Sequence, residues 1–118
     1  DMVAWLNANG LGENPVVRHR MAELTVQVME TEMLGLKVLE AMVKGRNASV
    51  DAAMNKIMHT TTCQNIARAV LDFGGPEALV SGGRPELIWR QSITETIGGG
   101  TSEIMRSVVS RQLLGLGS

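Results

Sequence analysis

Gly98, Gly99 and Gly100 stand directly before Thr101, Ser102 and Glu103, with Arg106 one helical turn further on. Three consecutive glycines open backbone conformations closed to other residues and let a ligand approach the chain closely. Thr101 stands where a helix N-cap belongs, and Glu103 falls in the first turn. A helix start offers unpaired N–H groups and a partial positive charge, so phosphate or pyrophosphate is its natural guest. The same residues also make a plain interhelical turn capped by Thr101, and a short Gly-rich match does not separate the two. Arg84, Arg90, Arg106 and Arg111 gather in sequence around two glycine turns; they either clamp phosphates or form exposed ion pairs.

Other residues with chemical potential lead nowhere comparable. His59 and Cys63 lie one helical turn apart, but a tetrahedral zinc needs further ligands and only His19 is left, with no second cysteine. No serine sits in a strand-elbow context, so a nucleophilic triad is unsupported. Thr60, Thr61 and Thr62 suit hydroxyls bonding back to helix carbonyls. Glu30, Glu32 and Glu40 with Lys37 and Lys44 read as a solvated face with spaced charge pairs. Met21, Met29, Met33, Met54, Met58 and Met105 share the register of the other apolar positions, which fits core or subunit-contact packing and also allows a pliable surface for a partner or an acyl chain.

These residues need elements to hold them, and the chain supplies helices. Its 118 residues suffice for one domain with a core, with 44% hydrophobic residues and a formal net charge of -1. Near-neutral charge and only three aromatic residues, Trp5, Phe73 and Trp89, speak against a nucleic-acid partner. A single cysteine fits a reducing compartment, and no apolar run is long enough for a bilayer, so a soluble, cytoplasmic protein is expected. The start at Asp1, without Met, suggests a piece of a longer polypeptide. A short helical turn is expected over 1–9, then a long helix from the Asn14-Pro15 cap to Lys44-Gly45 whose wide apolar arc predicts burial. A second long helix, capped by Ser49, runs to Gly74-Gly75-Pro76; a third carries Leu87, Ile88, Ile93 and Ile97; a fourth runs from Thr101 to about Leu114. No hairpin or repeat signal is present, so the expected fold class is all-α, a four-helix up-and-down bundle.

Gly99-Gly100-Thr101-Ser102-Glu103-Ile104-Met105-Arg106, together with Arg111-Gln112-Leu113-Leu114-Gly115, resembles the C-terminal signature of the acyl-CoA dehydrogenase family. Asn14-Pro15-Val16-Val17-Arg18-His19-Arg20-Met21-Ala22-Glu23 resembles the start of a core helix in that family's last domain, and Leu71-Asp72-Phe73-Gly74-Gly75 its Phe-Gly-Gly turn. The likeness covers essentially the whole chain. It implies that residues 1–118 are the C-terminal helical bundle of a flavoenzyme whose upstream helical and β domains complete the active site.

The resemblance implies FAD as cofactor, contacted by Gly100, Thr101 and Glu103, with Gly74 and Gly75 donated across a subunit interface. Leu71 stands where the family usually has a polar residue. It also implies an acyl-CoA substrate, a role in fatty acid or lipid metabolism, an electron-transfer flavoprotein or similar acceptor, and a homo- or hetero-dimer or tetramer centred on the bundle. Gly99 is the main departure, because many members place the catalytic glutamate immediately before Gly-Thr. That base would then come from a helix upstream of Asp1 or from a partner subunit, and Gly98 and Gly99 together imply room for a bulky, branched or polycyclic acyl group. Three other readings remain: a helical scaffolding module, a silent subunit of a heteromeric dehydrogenase, and an acyl-CoA oxidase.

Overall fold

A computed structural model describes residues 2–117, and these form five α-helices and one 3-10 turn with no strand. Helix α1 spans Met2–Ala8. Asp1, where the short opening turn is expected to begin, lies outside the described residues. The long helix α2, Pro15–Val43, starts as the Asn14-Pro15 pair predicts: the Asn14 side chain accepts from the backbone N–H groups of Val16 and Val17, and Pro15 occupies the first turn.

Helix α3, Ser49–Gly74, follows a five-residue connection but is not capped as expected. Ala48 occupies the cap position without a side-chain bond. The Ser49 N–H instead donates to Asn47 Oδ1 at 2.9 Å, and the Ser49 hydroxyl reaches across to Gln112 Oε1 at 2.7 Å. A 3-10 turn over Gly75–Leu79 leads to α4, Arg84–Thr94, and α5 covers Ser102–Gln112. α4 stops short of the apolar run through Ile97. The N–H groups of Ile97 and Gly98 both return to the Thr94 carbonyl, so the helix tightens and ends, leaving Ile97 67% exposed.

α3 is the hub: α2, α4 and α5 each pack extensively against it, while α2 makes no extensive contact with α4 or α5 among the described residues. Five of the nine buried hydrophobic residues are alanines, Ala41, Ala53, Ala67, Ala69 and Ala78. Small side chains let the helices approach closely, but each buries little apolar area. A polar seam joins α2 to α3, with Thr31 and Thr62 hydroxyls 3.3 Å apart and the Asn65 amide donating to Gln27 at 2.9 Å.

The expected burial of α2 does not occur in the single chain. Only Val17, Leu24 and Ala41 are buried on it, whereas Val26, Met29, Met33, Leu36, Leu39, Met42 and Val43 are exposed. The arc was wide enough to suggest packing on several sides, yet α3 covers one side alone.

Candidate functional site

The glycine turn is built from both ends. Upstream, the Lys56 ammonium on α3 donates to the Glu95 carbonyl where α4 finishes, a cation placed on the partial negative charge of a helix C-terminus. Gly99 and Gly100 then turn the chain at φ +69° and +107°, a region that only glycine enters freely. Downstream, Thr101 caps α5, its hydroxyl oxygen accepting from the Ile104 N–H at 3.3 Å. The Ser102 N–H returns to the Thr96 carbonyl at 3.2 Å, which ties the two ends of the turn together.

A polar cavity of about 310 Å³ lies beside this turn, lined by Thr60, Thr61, Gln64, Thr96, Thr101, Glu103 and Arg106 among others. Glu103 has its carboxyl held below the ordinary carboxylate range, first by its own backbone N–H, then by the Thr101 hydroxyl, with Arg106 adding a smaller electrostatic contribution. The carboxylate therefore stays ionised near neutrality and is a poor proton acceptor. Ser102, Glu103 and Ile104 thus spend their N–H groups within the chain, so the helix start is less open to an anion than its sequence suggests.

What remains free is a mixed set. The Gln64 amide and the Arg106 guanidinium offer donors and Glu103 a strong acceptor, while the hydroxyls of Thr60, Thr61 and Thr96 give their hydrogens to helix carbonyls and keep only acceptor lone pairs. That combination fits a polyhydroxylated chain carrying phosphate: hydroxyls pair with Glu103 and a phosphate oxygen pairs with Arg106.

Gly74 and Gly75 sit elsewhere. They close α3 roughly 21 Å along the helix axis from Thr60, at 1.5 Å per residue, and Gly74 lines a different cavity with Trp5, Asn9, Leu11 and Phe73. Gly74 is a packing glycine: a Cβ there would lie 2.5 Å from that of Ala78 and 3.4 Å from the Trp5 ring. Gly75, at φ +59°, has nothing within 4 Å of its Cβ position. The cavity beside the 98–100 turn and the one at Gly74 have no lining residue in common.

The four arginines also separate. Arg106 lines the polar cavity, Arg84 lines an apolar one beside Met2 and Trp5, Arg90 pairs with Glu86, and Arg111 is exposed in the last turn of α5. His59 Nε2 lies 3.7 Å from Cys63 Sγ, and no group of three or more metal-ligating side chains gathers among the described residues. Burial raises the Cys63 thiol above its usual range, with Glu95 adding to the effect. Lys56, Thr60 and Gln64 were missed as site residues. Their i, i+4, i+8 spacing puts one polar row on α3, a signal present in the sequence but hidden among the apolar positions around it.

A family model described as the acyl-CoA dehydrogenase C-terminal domain matches residues 5–114. The chain belongs to the acyl-CoA dehydrogenase family. Similar proteins include the probable acyl-CoA dehydrogenase YdiO of Escherichia coli strain K12, 26% identical over 104 residues that make up 88% of this chain and 27% of that protein. The L-prolyl-[peptidyl-carrier protein] dehydrogenase of Pseudomonas fluorescens strain Pf-5 is 29% identical over 104 residues, 87% of this chain and 27% of its own length. Among solved structures, the Tcur3481-Tcur3483 steroid ACAD superposes with a TM-score of 0.86 at 28% identity, covering 98% of this chain and 32% of that one. The chain thus spans about a quarter of the length of the curated relatives it matches. No helix among the described residues is long and apolar enough to cross a membrane.

Proposed function

We propose that this chain is the C-terminal bundle of an FAD-dependent acyl-CoA dehydrogenase, an oxidoreductase that introduces an α,β double bond into an acyl thioester. The observation that carries this reading is the coincidence of the family match with a polar cavity at the glycine turn whose donors and acceptor suit the flavin's sugar-phosphate chain. In it Gly100 contacts the cofactor through its backbone, Thr101 and Glu103 bind hydroxyls, and Arg106 faces phosphate. Gly74 and Gly75 serve a second copy's cofactor, which accounts for their distance from the turn. The bound flavin supplies the hydride-accepting centre.

The chain's own share of the chemistry is positioning. Gly99 has no side chain to take the substrate's α-proton, and the Glu103 carboxylate is engaged by its own backbone N–H and the Thr101 hydroxyl, so that proton goes to a carboxylate outside these residues, on an upstream segment or a partner subunit. Gly98 and Gly99 are both exposed, and nothing lies within 4 Å of the Cβ position of Gly99. This favours a bulky or polycyclic acyl group, a reading supported by the similarity to the Tcur3481-Tcur3483 steroid ACAD. Electrons then pass to an electron-transfer flavoprotein or a similar acceptor, and the bundle lies at the centre of an oligomer.

The test is flavin retention by the complete enzyme that carries this domain. It is expected to purify with a flavin absorbance spectrum, and Thr101→Ala or Glu103→Gln to weaken retention about tenfold or more, since a hydrogen bond to a charged group contributes roughly 1.5–3 kcal/mol. Turnover should favour bulky over short linear acyl-CoA substrates. A colourless enzyme, or retention untouched by both substitutions, overturns the reading.

A further inference from the structure

The cavity at Arg84 lies apart from the glycine turn and has no lining residue in common with the polar cavity there. About 250 Å³ in volume, it opens between α1, α3 and the start of α4, with Trp5, Ile66, Val70, Pro85 and Ile88 among its walls. Among the described residues Arg84 alone brings a charge to this lining.

That charge has no counterpart. The Arg84 guanidinium forms no ion pair or hydrogen bond among the described residues, whereas Glu86, the nearest acid on α4, is spent on Arg90 and on the Gly82 N–H. Arg84 also opens α4, so its cation stands at the partial positive charge of a helix start, and Gly83 gives that start no side-chain cap.

An apolar hollow bordered by one unbalanced cation suits an anion with an apolar body. A carboxylate matches the fork of a guanidinium, and the body must be short, because 250 Å³ holds roughly eight groups of about 30 Å³, the share of one water in the liquid. A nucleotide would set its polar sugar and base against apolar walls, and a peptide strand would need backbone partners that apolar side chains do not supply.

We propose that this cavity binds a free monocarboxylic acid of about eight carbons, its carboxylate paired with Arg84 and its chain laid against Trp5, Ile66 and Ile88. Trp5 and Pro85 also border the cavity at Gly74, so flavin content is read alongside binding.

Titration calorimetry with octanoate tests it on the complete enzyme that carries this domain, with the folding of each variant checked by circular dichroism. Lengthening the acid from hexanoate to octanoate should tighten binding about fourfold per methylene, and decanoate should gain nothing more once the cavity is full. Arg84→Met should weaken octanoate about tenfold and leave octanol unchanged, Arg84→Lys should keep most of the affinity, and Ile88→Trp should abolish binding by filling the space. Flavin content should stay unchanged in all three variants, so this site and the flavin reading fail separately. No octanoate binding, an affinity untouched by Arg84→Met, or one that keeps rising past eight carbons would each overturn the site. So would loss of flavin on Arg84→Met, which would assign that cation to the cofactor.

Discussion

Gly99 and Gly100 hold neighbouring positions in one turn but face different constraints. At Gly99, φ is +69° and the space around a Cβ is open, so alanine there pays only for the left-handed conformation, about 1–2 kcal/mol. At Gly100, φ is +107°, outside the narrow left-handed well that side chains tolerate, and a Cβ would lie 2.5 Å from the Met105 methyl. That methyl is the end of a flexible side chain and moves aside; the torsion does not. Gly100→Ala is therefore expected to destabilise the chain by roughly 2–3 kcal/mol, more than Gly99→Ala, and Met105→Ala should not rescue it. Urea denaturation of the three variants gives the comparison, and equal losses at the two glycines would show that the turn relaxes as a unit.

At the scale of elements, the turn depends on a helix far from it in sequence. Lys56 on α3 bonds the carbonyl that ends α4, and Thr60 and Gln64 continue the same row into the cavity. Lys56→Met should cost about 1.5–3 kcal/mol, the range for a hydrogen bond from a charged donor, and should weaken flavin retention in the complete enzyme, whereas Lys56→Arg should keep most of both. Loss of stability with retention unchanged would mean that the bond supports the helices without setting the turn. This link marks the limit of what the sequence made legible. The five helices, the Asn14 and Thr101 caps and the break at Gly74-Gly75 follow from local chemistry, although α4 ends at Thr94 instead of running through Ile97. Ser49 fails as a cap because its hydroxyl is drawn away to Gln112, a tertiary contact that no local pattern contains, while its N–H goes to Asn47 two residues upstream. The Lys56 row escaped for the same reason, since its meaning depends on which helix end α3 packs against.

For the whole molecule, a single copy leaves its larger hydrophobic side chains in the wrong place. Alanines dominate the core around α3, while Val26, Met29, Met33, Leu36, Leu39 and Met42 of α2 are exposed along a molecule 50 Å long and about 25 Å across. Alanine burial contributes little per residue, and a domain of this size has little stability to spare. Self-association through α2 would bury the missing area and add stability by mass action. Each tenfold rise in chain concentration then favours a folded dimer by about 1.4 kcal/mol, half of it per copy, which corresponds to an increase of roughly 3 °C in Tm. Calorimetry across a hundredfold concentration range should show this rise. A Tm that ignores concentration in the unaltered chain would mean that the alanine core suffices for one copy and that the apolar face of α2 plays no part in holding the fold together.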